Sequence, residues 1–275
     1  MIATLIVVFR EIIEAGLVVG IVLAATRGVP RRGLWISYGI AGGLAGACLV
    51  AAFASAISNA LQGTGQEMLN IAVLLTAVCM LTWHNVWMAR HGREIAAQMK
   101  TIGHAVATGQ RSLGALAIVV GIAVLREGSE IVLFLYGIAV SGGDSPASMA
   151  LGGGLGVLLG CGLSALMYGG LLRIPTRHLF TVTSWLIALL AAGMAAQAVA
   201  LLQQIDVATA LSRVVWDTSA FISNGSITGK ILHTLTGYTD KPTQLQLIVY
   251  AGTLAAIFML MRLFGHEPRR QHATA

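Results

Sequence analysis

Arg10, Glu11 and Glu14 stand in the run Phe9-Arg10-Glu11-Ile12-Ile13-Glu14, and Arg126, Glu127 and Glu130 in Leu125-Arg126-Glu127-Gly128-Ser129-Glu130. Both runs read R-E-x-x-E, and they lie 116 residues apart. On a helix, residues three or four apart share a face. Arg10 therefore meets Glu14, Glu11 meets Glu14, and the second run repeats the pattern. Two such helices facing one another would bring four carboxylates and two guanidinium groups together, a formal sum of −2. A surplus of anionic oxygen suits a hard cation. The plainer reading is that each arginine pairs with its own glutamate and pins helix packing. Two copies, each with a carboxylate to spare, favour the cation path.

The surroundings make these charges costly. Hydrophobic residues make up 56% of the 275-residue chain and charged residues 10%, far below the quarter usual in soluble domains. Apolar blocks of about 20 residues, enough to cross a hydrocarbon core, give seven spans at roughly 2–25, 34–57, 68–89, 114–140, 148–171, 179–203 and 245–264. All five prolines fall between blocks or near an end. Each charge near mid-membrane costs about 2.5–3.5 kcal/mol, so the first span carries about 8–10 kcal/mol against about 6 returned by its apolar residues. Such a helix must be sheltered by a bundle. Residues 2–25 lack the basic start of a signal peptide and read as a retained helix. Cys48, Cys79 and Cys161 form no C-x-x-C pair and read as small packing residues.

Orientation follows from the basic residues. Eleven of the Lys and Arg fall in one alternate set of segments and three, Arg213, Lys230 and Lys241, in the other. The positive-inside rule then predicts the N-terminus outside and the C-terminus in the cytoplasm. The net charge of +6 is thereby explained as an orientation signal, without nucleic acid. The first span enters from outside and the fourth from inside. This predicts an all-α integral membrane fold: one domain over 1–275, with inverted three-helix repeats at about 1–90 and 114–203. An outer loop at 204–244 and a seventh helix at 245–264 follow. Residues 90–113 read as a cytoplasmic linker or a short amphipathic helix. Gly39, Gly42, Gly43 and Gly46 in the second span, and Gly152, Gly156 and Gly160 in the fifth, are expected to let helices approach closely.

Paired R-E-x-x-E motifs in the first and fourth of seven spans resemble the oxidase-dependent iron permease family, and the bacterial EfeU-type high-affinity iron transporters are closest in size. The resemblance extends to Trp216-Asp217-Thr218-Ser219, Leu232-His233 and Gly237-Tyr238-Thr239-Asp240-Lys241-Pro242 in the outer loop. It implies an iron permease of the bacterial cytoplasmic (inner) membrane, with Glu11, Glu14, Glu127 and Glu130 as iron ligands and Arg10 and Arg126 as supporting ion-pair partners. Iron would be the substrate, with no permanently bound cofactor. Fe(II) would be oxidised outside and passed on as Fe(III), with a periplasmic oxidase, a cupredoxin-like protein or another iron-binding protein as partner. Two positions depart from the family pattern. Ile12 replaces a glycine that Gly128 keeps, and Ala220 replaces an acid of an outer motif found in fungal members.

Lesser candidates are Glu67, Asp217, Asp240 and His233 for outer capture, and His84 as an inner exit ligand near Asn85, Trp83 and Trp87. The tryptophans read as an interfacial belt. Gln197 and Gln203 could line the path or join helices. Lead, manganese or protons could use the same carboxylates. A membrane enzyme is disfavoured by the lack of an H-E-x-x-H, a nucleotide-binding loop or a nucleophile–base pair at matching depth. A passive structural subunit would gain nothing from surplus buried carboxylates.

Overall fold

The computed structural model describes residues 1–60, 66–141, 145–169 and 176–264. These form eight helices: α1 (Ile2–Ala25), α2 (Arg32–Ala60), α3 (Gln66–Ala107), α4 (Gly114–Val140), α5 (Pro146–Tyr168), α6 (Thr176–Gln204), α7 (Ile227–Thr236) and α8 (Gln244–Phe264). Among the described residues the sole β pairing is an isolated bridge between Val214 and Thr243. Five helices, α2, α3, α5, α6 and α8, are long and apolar enough to cross a membrane. The α1 and α4 helices match them in length, but each carries three charges of an R-E-x-x-E run. Large apolar side chains such as Leu34, Phe53, Ile118, Leu158, Trp185 and Met259 point outward, as lipid-facing surfaces require.

Local chemistry explains the helix ends. Arg32 Nη1 donates to the Leu23 carbonyl (2.7 Å) and Thr26 Oγ1 to Val22 (2.7 Å), satisfying two carbonyls at the end of α1. Ser145 caps α5 by accepting from Ser148 N, with Pro146 at the first helical position.

Two segments hold more helix than the apolar spans. Of the two readings of residues 90–113, the helical one holds as far as Ala107, as an unbroken extension of α3 and not a separate short helix. Its polar stretch lacks membrane-spanning hydropathy but consists largely of good helix formers, and packing secures its end. A Cβ on Gly103 would lie 2.5 Å from Ala25 Cβ, and Val106 is buried with Val22, Leu116 and Val120. The outer loop, likewise, contains a helix that dips into the bundle. Gly237 ends α7 with φ 70°, and a Cβ on Gly193 would meet Gly237 Cα at 2.6 Å. Gly193 precedes Gln204, the last residue of α6, by eleven positions, about 16 Å along the axis.

The glycine stripes set the helix pairings. In α2, Gly39 faces Ala117 O, Gly43 faces Gly121 O and Gly46 faces Leu125, whereas Gly42, expected at a close approach, points to open space with nothing within 4 Å of its Cβ position. In α5, Gly152 faces Met1 O, Gly156 faces Leu5 O and Gly160 faces Ile12 and Phe9 O. Thus α2 runs parallel beside α4, and α5 runs parallel beside α1. A Cβ on Gly156 would come within 2.9 Å of Leu5 O, whereas one on Gly154 meets nothing within 4 Å. Gly156→Ala is therefore expected to lower stability in detergent by about 1–3 kcal/mol through overpacking. Gly154→Ala should leave the melting temperature unchanged. Equal melting of the two variants would show that α5 does not seat on α1 in this way.

Candidate metal pathway where α1 meets α4

Residues 10–14 and 126–130 fall near the middle of α1 and α4, which pack against each other. The two motifs build the same local arrangement. Arg10 Nε lies 2.8 Å from Glu14 Oε1, while its Nη1 stays 3.9 Å from Glu11. Arg126 Nε lies 3.1 Å from Glu130 Oε1 and 3.8 Å from Glu127. In each motif the second glutamate takes the arginine. The first, Glu11 or Glu127, is left beyond hydrogen-bond reach of it.

These spare carboxylates are sealed from solvent. Glu11 is fully buried and Glu127 is 7% exposed, and neither Glu11 oxygen nor Glu127 Oε2 receives a hydrogen bond. A buried carboxylate without a partner is strongly unfavourable. One ligand atom from each of Glu11, His84, Glu127 and Glu130 lies within 4.8 Å of the others. That spacing lets one cation satisfy all four, since metal–oxygen bonds run about 2.0–2.6 Å.

His84, the residue expected at an inner exit, lies within this cluster. Its Nε2 lies 3.4 Å from Glu14 Oε2, and its Nδ1 sits against Glu130 Oε2. Position 84 lies near the end of the apolar stretch Glu67–Trp87, and α3 continues beyond it to Ala107. The adjacent Asn85 Nδ2 donates to Ser184 O (3.3 Å), tying α3 to α6. Trp83 faces outward, as a belt residue would. Trp87 instead lies under the Arg126 guanidinium, 4.1 Å from its ring centroid, a cation–π contact that periodicity in a single span could not disclose.

Close approach survives the loss of the motif glycine at Ile12. Gly128 of the second motif meets Ala47 on α2, whereas Ile12 of the first meets Gly160 on α5. The small residue has moved to the partner helix, so both motifs remain tightly packed.

The candidates for outer capture stand apart from the cluster, and Asp217, Asp240 and His233 have local partners. Asp217 Oδ1 accepts from Ser219 N (3.0 Å) and Ser219 Oγ (2.5 Å), and Lys241 Nζ lies 3.0 Å from its Oδ2. The two Ser219 bonds, then Lys241, hold the Asp217 carboxyl down to about 2. A depressed carboxylate adds stability above its unfolded value and loses it as pH falls through the folded one. Asp217 therefore remains ionised throughout the neutral and mildly acidic range. Asp240 Oδ2 accepts from Asn224 N (3.2 Å), and Asn224 Oδ1 accepts from Asp240 N (3.2 Å). His233 Nδ1 is 2.8 Å from the Tyr238 carbonyl, to which it donates. Glu67 is exposed in the first turn of α3. Gln203 accepts from Thr243 Oγ1 (3.0 Å), joining the end of α6 to the start of α8. Cys48, Cys79 and Cys161 are free and exposed.

The model of the iron permease FTR1 family matches residues 1–270. A protein of Shigella sonnei (strain Ss046) called ferrous iron permease EfeU is 29% identical over 273 residues, covering 98% of this chain and 96% of the relative. Its namesake in Escherichia coli O6:H1 (strain CFT073) is 30% identical over 249 residues, 89% of each chain. The one in Yersinia pestis is 27% identical over 248 residues, 89% of this chain and 87% of the relative. No solved structure matches the chain.

Proposed function

The chain belongs to the iron permease FTR1 family and is a multi-pass membrane transporter rather than an enzyme, and from this premise we propose that iron crosses through the cluster between α1 and α4. The observation that carries this reading is the set of four buried ligand atoms within 4.8 Å of one another, two of them on carboxylates that their arginines reach only at 3.8–3.9 Å. Glu11, Glu14, Glu127 and Glu130 are the iron ligands. Arg10 and Arg126 hold Glu14 and Glu130 in place. Glu67 and the acids of the outer loop, Asp217 and Asp240, with His233 beside them, draw cations to the entrance.

Sheltered by the bundle, α1 and α4 join the five apolar helices to make seven spans. The N-terminus is outside and the C-terminus inside, in the bacterial inner membrane. The parallel pairing of α1 with α5 and of α2 with α4 supports two inverted halves, each lending its second helix to the other's first.

The relatives are named for ferrous iron, and the two surplus carboxylates balance a divalent charge. Both points support Fe(II) as the ion carried. The second reading follows from the resemblance to oxidase-dependent permeases: a periplasmic oxidase or cupredoxin-like partner hands over Fe(III). Iron-55 uptake in cells lacking other iron importers separates the two. The ferrous reading expects undiminished uptake without oxygen and with ascorbate present. Uptake that stops under those conditions and returns with an added oxidase would establish the ferric route. Manganese or lead carried in strong preference to iron would overturn the substrate assignment.

A further inference from the structure

The carboxylates alone leave a selectivity problem. A cage of glutamate oxygens is equally suited to calcium and magnesium, which are hard cations that bind oxygen donors. Both greatly outnumber free iron in most surroundings. The cluster nevertheless contains one donor of a different kind. His84 is 2% exposed, and it enters from α3, a helix that carries neither R-E-x-x-E motif.

Three features mark its ring as more than a packing element. Both ring nitrogens are buried and without well-aligned hydrogen bonds, although carboxylate oxygens lie beside each. The ring stands between Glu14 of one motif and Glu130 of the other. One of its nitrogens also lies within 4.8 Å of ligand atoms on Glu11, Glu127 and Glu130.

Resting on the reading of this cluster as the iron path, we infer that His84 is a metal ligand whose imidazole nitrogen selects borderline transition metals over calcium and magnesium. Imidazole suits iron and its heavier neighbours, whereas calcium and magnesium gain little from nitrogen. The same donor favours Fe(II) over Mn(II), which binds more weakly in the usual order of divalent ions. Selectivity would thus reside on α3, while the motif helices supply the charge. The helix-to-helix tie from Asn85 to Ser184 fixes the turn of α3 on which His84 stands.

The test uses full-length protein in proteoliposomes under anoxia, with iron-55 influx measured against rising Ca(II) and Mn(II). Wild type is compared with His84→Asp, which keeps a ligand but makes it oxygen, and with His84→Gln. The concentration of Ca(II) that halves iron influx is expected to fall about tenfold or more in His84→Asp, with Mn(II) following the same direction. A direct readout accompanies it. Protein loaded with Cu(II) should show the pulsed-EPR modulation of a coordinated imidazole, lost in His84→Gln. Unchanged metal preference in both variants while influx persists would overturn the ligand role, as would wild-type Cu(II) protein whose imidazole signal survives in His84→Gln. If instead Glu11→Gln and Glu127→Gln transport normally, the iron path itself is wrong and the ligand role falls with it. An unfolded variant leaves the wild-type Cu(II) spectrum decisive: no imidazole modulation there rejects the inference.

Discussion

Glu11→Gln and Glu127→Gln should each reduce iron uptake at least about tenfold while leaving the metal-free protein as stable as wild type or more so. Even changes outside the ligand shell of metal sites cost about 10–100-fold, and these two residues are proposed ligands themselves. Stability is expected to move the other way because neither carboxylate is held by an arginine. Glu11 is 3.9 Å from Arg10 and Glu127 is 3.8 Å from Arg126. Replacing a buried carboxylate that has only a long ion pair with a neutral amide of the same shape removes a desolvated charge at little loss of pairing. Glu14→Gln and Glu130→Gln are poorer probes, since each would also strand its arginine. The measurement is iron-55 uptake at matched expression, alongside melting of the purified protein in detergent. Wild-type uptake in both variants would remove the carboxylates from the pathway. A large loss of stability would show that they serve the fold instead.

The central chemistry was legible in the sequence because it broke a rule. Charges in a 24-residue apolar helix have no structural excuse, and their i,i+3 and i,i+4 spacing fixes which of them share a face. The glycine stripes were equally legible, since GxxxG spacing points to one helix face. Three features were not. His84 looked peripheral because it stands near the end of the apolar stretch Glu67–Trp87, and only the packing of α3 on α1 and α4 brings Glu14 and Glu130 to it. The dip of α7 depends on contact between Gly193 and Gly237, residues 44 positions apart that no local periodicity connects. The compensation between Ile12 and Gly160 is of the same kind. The missing glycine looked like a defect in the first motif until its partner helix was known. What failed in each case was the step from one helix to its neighbour, where long-range packing decides.

That step also separates the two arginines, which are identical in motif position but not in surroundings. Arg10 is 2% exposed, and its partner Glu14 is as deeply buried. Arg126 is 34% exposed and rests on Trp87. Removing one member of a buried ion pair costs about 3–5 kcal/mol, because the other is left as an uncompensated charge. Arg10→Met should therefore lower stability by about that amount. Arg126→Met should cost less, because His84 still lies against Glu130 when Arg126 is gone. Thermal unfolding in detergent, followed for both variants side by side, gives the order. The double variant Arg10→Met/Glu14→Leu then tests the cause. Replacing a whole buried pair with apolar residues is often neutral or stabilising, so the double variant should recover most of the stability lost in Arg10→Met. It should not recover iron uptake, since Glu14 is gone from beside His84. A double variant that remains as unstable as Arg10→Met would mean that Arg10 holds the fold through contacts other than Glu14. Recovered stability with recovered uptake would mean that the first motif needs only Glu11.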